Sequence, residues 1–238
     1  MSTALIIGAG ERVGQSVADK FAKAGYKIAV ASRSNKVKGD GYKFFPFDAT
    51  KPETTADLFS KVRKDVGIPS VVVYNAYGAR FGTVRNPLDL PIDDFNADMA
   101  VNAASPFASV VEAVKGFKEL KAEGKLGKSG ATFIFTGNML NDTAGPNFMT
   151  FGMGKSAAAF LIKSLALVDF ADEPFKFYYG DQRHADGEPF YTGLSGPAHA
   201  DAYFELAQKP EQGPWQYTFV EGAGYKKFPK PETLRKPQ

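Results

Sequence analysis

Apolar and polar positions alternate along the chain in blocks typical of buried strands and amphipathic helices. Thr3–Ile7 is a short apolar run that ends at a glycine, as a buried parallel strand does. Residues 11–24 follow with apolar side chains at helical spacing, and Gly25 ends that helix. The same criteria predict further strands at residues 27–31, 42–47, 71–74, 131–136, 175–179 and 215–220.

Helical patterns fill the intervals between these strands. A helix over residues 50–66 has Thr50 as its predicted N-cap and Glu53 in the capping-box position. Residues 92–104 and 106–123 are expected to form one long helix, interrupted or not, and 148–171 and 197–208 form two more. This alternation predicts the α/β class, with one doubly wound parallel sheet and helices on both faces.

The charge of the chain is concentrated at one end. The 238 residues carry a formal net charge of +3, and residues 225–238 hold five of the 29 Lys and Arg but one of the 26 acids. The body, residues 1–224, therefore has 24 basic and 25 acidic residues. We expect one domain over 1–224 that does not bind nucleic acid, followed by a basic tail that is solvated and frayed.

Residue usage excludes several kinds of site. Cysteine is absent, which rules out disulfides, thiolate metal sites and a cysteine nucleophile, and two histidines are too few for a His-rich metal centre. We therefore predict no metal. The N-terminus lacks a signal-peptide pattern, and the most apolar helical run, 157–168, contains Lys163 and is too short for a bilayer. We expect a cytoplasmic protein without a membrane partner.

A glycine-rich turn follows the first strand and opens the first helix. Its sequence is Gly8-Ala9-Gly10-Glu11-Arg12-Val13-Gly14. Gly8 permits the tight turn, Gly10 lets a pyrophosphate approach the backbone, and Gly14 allows close packing of the helix. The N-terminus of the helix, whose first turn includes Val13, favours an anion through its free N–H groups and its dipole. We interpret the segment as a dinucleotide-binding loop, the alternative being an ordinary strand-to-helix turn.

The residues after the second strand favour NADP over NAD. No Asp or Glu follows that strand, where a site for NAD places an acid on the ribose 2′-hydroxyl. Ser32 and Arg33 stand there instead, and Arg12 lies in the glycine-rich turn. Guanidinium groups bind phosphate through charge-assisted, bidentate hydrogen bonds. We predict that these three residues hold the 2′-phosphate, although two solvated surface arginines are the alternative interpretation.

Together these residues resemble the short-chain dehydrogenase/reductase family. The matching positions are Gly8–Gly14, Asp48, Asn75-Ala76, Asn102 and Lys155-Ser156. The resemblance implies a single Rossmann-type domain, with the adenine near Asp48, the nicotinamide over Asn75-Ala76 and its ribose held by Lys155. It also implies a substrate loop over about 180–208 and a homodimer or homotetramer formed through the helix at 148–168.

The catalytic positions depart from the pattern of that family. The family has a Ser that orients the carbonyl, a Tyr-x-x-x-Lys motif whose Tyr transfers the proton, and an Asn that carries a water. This chain has Phe151-Gly-Met-Gly-Lys155 in the second motif and Asn138 thirteen residues before Phe151. Asn102 and Lys155 match, but a phenylalanine cannot transfer a proton, a step worth about 10²–10⁴-fold in rate.

Three hypotheses explain the missing tyrosine. The proton can come from another group, and the candidates are Tyr77, Tyr178, Tyr179, Asp181 and His184. The reaction can instead need no acid, as in hydride delivery to an iminium, or the protein can bind NADP(H) as an inactive sensor. The function we predict is an NADP-dependent oxidoreductase that acts on a small apolar carbonyl, imine or enone. The inactive NADP(H) sensor is the alternative function, and a non-redox lyase or isomerase is the third. The expected pocket lining is Phe148, Met149, Phe151, Met153, Phe190 and Tyr191.

Overall fold

An eight-stranded sheet forms the centre of the protein. The structure, a computed structural model, describes residues 2–80, 86–190 and 192–234, so Tyr191 lies outside the described residues. The strand order is β3-β2-β1-β4-β5-β6-β7-β8, and all neighbours are parallel except β7 and β8. The strands are β1 Thr3–Ile7, β2 Lys27–Ser32, β3 Lys43–Pro46, β4 Pro69–Tyr74, β5 Ala131–Thr136, β6 Phe175–Gln182, β7 Gln216–Val220 and β8 Gly224–Tyr225. The predicted doubly wound α/β class is confirmed.

Helices cover both faces of the sheet. They are α1 Val13–Lys23, α2 Thr55–Asp65, α3 Ile92–Met99, α4 Ser105–Ala122, α5 Met149–Ser164 and α6 Gly196–Gln208. One core cluster joins α1 and α6 to one face, through residues such as Val17 and Leu206. The other core cluster joins α2, α4 and α5 to the opposite face, through residues such as Val62 and Ile162. Alternating side chains of β1 enter the two cores, as the period of two in a strand requires.

The long helix over residues 92–123 contains a wide turn. Residues Ala100–Ala104 form a π-helical turn between α3 and α4, and Asn102 lies within it. The Tyr74 hydroxyl on β4 donates to the Val101 carbonyl at 2.6 Å. A π turn spaces its carbonyls differently from an α-helix, and such turns often occur at functional sites. The turn therefore places Asn102 over the end of β4.

Two sequence predictions about local structure are wrong. Thr50 does not cap α2, because its hydroxyl donates to Asp48 Oδ1 at 2.9 Å and a short 3₁₀ turn, Pro52–Thr54, precedes the helix. Strand β6 does not end at residue 179 but continues to Gln182, so Asp181 lies in the sheet rather than in the substrate loop. Pairing with β7 carries β6 forward, since Asp181 lies opposite Thr218.

Helix α5 is longer than the apolar run, residues 157–168, considered in the sequence. With the π-helical turn Leu165–Asp169 it spans 21 residues, which by length and composition alone is enough to cross a membrane. The prediction that this apolar segment is too short for a bilayer is therefore wrong. About 44% of the most apolar window is buried inside the protein, and the core helix of a soluble protein meets the same criterion.

The backbone of the C-terminal segment is paired at residues 232–234. Thr233 forms a parallel bridge with Ala144, and the Leu234 N–H donates to the Ala144 carbonyl at 2.8 Å. The Leu234 side chain is 9% exposed. Residues 226, 227 and 229–233 are exposed, as expected for a solvated tail. The expectation of fraying is wrong for residues 232–234, because their backbone pairs with Ala144 and Leu234 is buried.

Candidate active site

The turn after β1 is built into the neighbouring strands. Gly8 has a φ of +78°, and a Cβ on it would lie 2.2 Å from the Ala76 nitrogen. The Gly8 N–H donates to the Ala31 carbonyl at 2.7 Å, and Asn75 Nδ2 donates to the Gly8 carbonyl at 2.9 Å. Only glycine combines this conformation with this close approach. Asn75 and Ala76 thus shape the turn directly.

The start of α1 fits an anionic ligand. No side chain caps the helix, and its first turn holds no acidic residue. A Cβ on Gly14 would lie 2.7 Å from the Ala9 Cα, so Gly14 lets the helix fold back onto the turn, while a Cβ on Gly10 would meet nothing within 4 Å. Buried Val13 begins the helix. An open backbone before an uncapped helix start is the cradle that a pyrophosphate needs.

The residues expected to bind the 2′-phosphate lie at or just after the carboxyl ends of β1 and β2. Arg12 and Arg33 are exposed, and the Ser32 hydroxyl donates to the Ser34 carbonyl at 2.8 Å. The Thr50 backbone N–H holds the pKa of the Asp48 carboxyl below its usual range, and the positive charge of Arg33 contributes. Arg33 therefore lies within electrostatic reach of Asp48.

Lys155 is the buried cation of the site. Its side chain is 3% exposed, and Nζ donates to the Thr136 carbonyl at 2.9 Å at the end of β5. Nζ also lies 4.5 Å from the Phe135 ring centroid and 5.0 Å from that of Phe151. Burial lowers the pKa of Lys155 to about 7, against the opposing effect of the Asp181 charge. The lysine is held where β5 ends and α5 begins.

Asn102 holds the loop that follows β4. Its Nδ2 donates to the Gly78 carbonyl at 2.5 Å, and its Oδ1 accepts from the Gly78 N–H at 3.2 Å. A Cβ on Gly154 would lie 2.4 Å from the Asn102 Cβ, so the glycine before Lys155 lets α5 approach the π turn. Asn102 and Lys155 therefore lie on adjoining elements.

Phe151 and Tyr77 lie side by side at the mouth of the site. Phe151 is 8% exposed, whereas Tyr77 is 66% exposed. Their ring centroids are 6.0 Å apart, with the planes inclined by 51°. Asn102 is hydrogen-bonded to Gly78, the residue after Tyr77, so the backbone beside Tyr77 is fixed near the Phe151 ring.

Asn138 lies two residues beyond the end of β5 and caps the short 3₁₀ turn Met139–Asn141. Its Oδ1 accepts from the Leu140 N–H at 3.1 Å. The Tyr179 hydroxyl donates to the Asn138 carbonyl at 2.7 Å and accepts from the Asn138 N–H at 3.1 Å. Tyr179 is therefore committed to positioning Asn138, and burial raises its pKa well above the ordinary value.

The other candidate proton donors lie elsewhere or are occupied. Tyr178 projects to the opposite face of the sheet, where its hydroxyl accepts from the Gly213 N–H at 2.9 Å, so the structure does not bring it to the site. Asp181 Oδ2 accepts from Arg183 Nε at 2.7 Å and Nη2 at 2.6 Å. Burial raises the pKa of Asp181, and Arg183 opposes this. His184 is exposed and stacks on Phe190 at 3.7 Å.

The sequence analysis did not identify a buried aspartate that lies beside the site. Asp98 is fully buried, forms an ion pair with Arg80, and accepts from the Thr150 hydroxyl at 3.0 Å. It thereby links the loop after β4 to the first turn of α5. Asp98 precedes Asn102 by four residues, a spacing that places both on one helix face and that could have identified it. Within the part of the chain that the structure describes, no cluster of His, Asp or Glu could hold a metal ion.

Comparison with known proteins identifies relatives over nearly the whole chain. A family model described as "short chain dehydrogenase" matches residues 2–169. The chain is 38% identical over 237 residues to "Short chain dehydrogenase/reductase dmxR12" of Cryptosporiopsis sp. (strain 8999), and the match covers 94% of each chain. It is 24% identical over 174 residues to "Glucose 1-dehydrogenase" of Gluconobacter oxydans (strain 621H), covering 68% of this chain and 62% of the relative.

Solved structures show the same fold at low sequence identity. A metagenomic short-chain oxidoreductase in complex with NADP superposes with a TM-score of 0.78 at 15% identity, covering 92% of this chain and 96% of that one. The NADH-dependent reductase A1-R′ complexed with NAD gives a TM-score of 0.73 at 17% identity, covering 89% and 93%. The neighbours thus include proteins bound to either nucleotide.

Proposed function

Because the chain belongs to the short-chain dehydrogenase/reductase family, we propose that it is an NADP-dependent oxidoreductase with an altered acid site. Its substrate is a small apolar carbonyl, imine or enone. The observation that carries this proposal is the buried Lys155, held at the Thr136 carbonyl against Phe151. The cation that supports a nicotinamide ribose is retained, whereas apolar carbon replaces the expected acid.

The residues of the first βαβ unit fit the nucleotide. The open backbone at Gly10 and the uncapped start of α1 would hold the pyrophosphate. Arg33, with Arg12 and Ser32, would hold the 2′-phosphate, which favours NADP. The bound nicotinamide would supply the hydride. Lys155 would position the ribose, and Asn75 and Ala76 would line its path.

Tyr77 is the proton donor that the contacts favour. In this proposal Phe151 and Asn138 occupy the family's Tyr and Ser positions. Tyr179 is committed to Asn138 and Asp181 to Arg183, whereas Tyr77 is exposed beside Phe151. When hydride adds to a carbonyl carbon, the carbonyl oxygen becomes an alkoxide. A phenol that contacts water can donate its proton to this alkoxide and then regain one from solvent.

A second candidate function is an inactive NADP(H) sensor. The observation that favours it is the use of the Asn138 amide oxygen to cap the turn at Leu140, within an apolar cluster around Phe151. In that case the protein would bind the nucleotide and reduce nothing. Turnover distinguishes the two functions.

We also propose a cytoplasmic homodimer or homotetramer that binds neither nucleic acid nor membrane. Helices α4 and α5, with the turn after α5, carry large apolar side chains that are exposed in the single chain. These are Phe107, Val111, Phe160, Leu167 and Val168. Pairing with a second copy would cover them. Size-exclusion chromatography with light scattering tests the assembly, and a monomer would contradict it.

Cofactor titration tests the nucleotide assignment. We expect Arg33→Asp to weaken NADPH binding by about tenfold or more, because a charge-assisted hydrogen bond to phosphate is lost, and to leave NADH binding nearly unchanged. Lys64→Asp is the control, since it makes the same charge change at an exposed position on α2. Equal losses for NADPH and NADH would contradict the assignment.

A reductase screen tests the chemistry. Ketones, quinones, enones and cyclic imines are offered with NADPH, and oxidation of the nucleotide is followed by absorbance. We expect turnover by the wild-type protein and a large loss in Lys155→Ala. Turnover at the wild-type rate in that variant would contradict the site assignment, and NADPH binding without any turnover would favour the sensor.

A further inference from the structure

The last described residues of the chain pair with the loop that carries Asn138. We define residues 230–234 as the C-terminal strap and residues 138–148 as the Asn138 loop. The Ala144 N–H donates to the Glu232 carbonyl at 2.9 Å, and the Leu234 N–H donates to the Ala144 carbonyl at 2.8 Å. The strap therefore adds a short parallel bridge to a loop that would otherwise present an unpaired backbone.

Side chains reinforce this pairing from both partners. The Thr143 hydroxyl donates to the Pro231 carbonyl at 2.9 Å, and Lys230 Nζ lies 2.6 Å from Asp142 Oδ2. Lys230 Nζ also lies 6.0 Å from the ring of Trp215, the only tryptophan in the chain. Two successive residues of the Asn138 loop are thus held by the strap.

The strap ends in an apolar contact beneath the site. Leu234 forms one buried cluster with Met139, Leu140 and Phe151, the residue next to Tyr77. A Cβ on Gly145 would lie 2.5 Å from Leu234 Cδ1, so a glycine at this position makes room for the leucine. The cluster connects the C-terminal strap to the ring that, in the proposed function, replaces the expected acid.

We propose that the C-terminal strap positions the Asn138 loop and that Leu234 thereby sets the size of the apolar group accepted beside Phe151. The proposal rests on the proposed function, because it concerns the substrate of the same site. Leu234 is a positioning residue, acting through Met139, Leu140 and Phe151. Shortening it leaves space that neighbouring side chains only partly fill, which widens the apolar wall of the site.

Substrates of different size test this assignment. Benzoquinone serves as the small probe and phenanthrenequinone as the bulky one, each with NADPH. We expect Leu234→Ala to raise kcat/KM for the bulky probe relative to the small probe by about fivefold, mainly through KM, since a few methylenes in an apolar pocket discriminate on this scale. NADPH affinity should stay within about twofold of the wild-type value, because the strap contacts no residue of the glycine-rich turn.

Two further variants separate positioning from general destabilisation. Leu234→Met retains volume and should keep the wild-type selectivity. Leu126→Ala removes the same atoms from a half-buried leucine that packs against the α2, α4 and α5 core, and should also leave selectivity unchanged. An unchanged ratio in Leu234→Ala, or an equal fall in kcat for both probes, would overturn the proposal.

Hydrogen exchange decides the strap if the chemistry fails. Should the wild-type protein bind NADPH but reduce neither probe nor any other compound of the screen, the proposed function falls independently of the strap. Amide exchange over residues 138–148 is then compared between wild type and Leu234→Ala. Faster exchange confined to that loop supports positioning by the strap, and unchanged exchange overturns it.

Discussion

The glycine-rich turn and the Phe151 region preserve their geometry by different means. At the turn, the backbone leaves no room for change, because a Cβ on Gly8 would lie 2.2 Å from the Ala76 nitrogen. Around Phe151, side chains define the environment: Lys155, Asn102 and Asn138 each act through groups that a substitution can remove. Backbone geometry constrains sequence more tightly than side-chain chemistry does. A chain can therefore keep its nucleotide site while its acid–base residues change.

The largest expected effect separates two glycines of the same turn. Gly8→Ala forces an L side chain into positive φ and into the backbone of Ala76, so we expect a loss of about 4 kcal/mol or more in the free energy of unfolding. Urea denaturation followed by circular dichroism measures it. If conditions that yield folded wild-type protein yield no folded Gly8→Ala protein, this also confirms the predicted loss of stability.

Gly10→Ala is the matched control for this prediction. A Cβ on Gly10 meets nothing within 4 Å, so stability should change by about 1 kcal/mol at most. NADPH binding should nonetheless weaken, because the methyl group enters the space proposed for the pyrophosphate. A stable Gly8→Ala protein would contradict the view that Gly8 is required for folding. Unchanged NADPH affinity in Gly10→Ala would contradict the view that Gly10 leaves space for the pyrophosphate.

The next effect concerns the proton. With a substrate found in the screen, Tyr77→Phe should lower kcat by about 100-fold if Tyr77 is the acid, with NADPH affinity unchanged. Stopped-flow measurement of NADPH oxidation gives the rate. The phenylalanine retains the ring contact with Phe151, so only the hydroxyl is lost.

A second substitution makes that result specific. Phe151→Tyr in the Tyr77→Phe background places a hydroxyl on the ring beside Lys155, whose Nζ lies 5.0 Å from the centroid of that ring. We expect recovery of part of the lost rate, and Asn138→Ser should extend it. If Tyr77→Phe reduces the substrate at the wild-type rate, the acid is not Tyr77 and the reaction needs none from this loop.

The contrast between these regions also explains what sequence reasoning could find. The turn at Gly8 and the alternation of strands and helices along the chain are local or periodic features, so the pattern of glycines and apolar runs predicts them. The strap was missed because Leu234 meets Phe151 through a contact between residues far apart in the chain. Asp181 was misplaced for a related reason: β6 is extended by β7, a partner that its own residues do not specify.

Per pH unit, the smallest effect comes from the burial of Lys155. Its folded-state pKa of about 7 lies below the ordinary value of about 10.4, because burial disfavours the charged amine. Below pH 7 the amine is charged in both the folded and the unfolded protein. The folded protein then bears the full free-energy cost of burying that charge. Between the two pKa values the unfolded chain binds more protons, so the free energy of unfolding rises with pH, by at most about 1.4 kcal/mol per unit.

Lys155→Met removes this titration from the region around Phe151. The groups that act electrostatically on the amine are Asp181 on β6, whose charge raises its pKa, and through it Arg183. Without nucleotide, the variant should exceed the wild type in stability most at pH 6, and the gap should narrow from pH 7 towards pH 10. Urea denaturation at several pH values measures the gap, and Lys163→Met, at an exposed position on the same helix, is the control. Parallel pH profiles for wild type and Lys155→Met would show that the lysine is charged in the folded protein, which would make it a fixed cation for the nucleotide rather than an amine that gains its proton on binding.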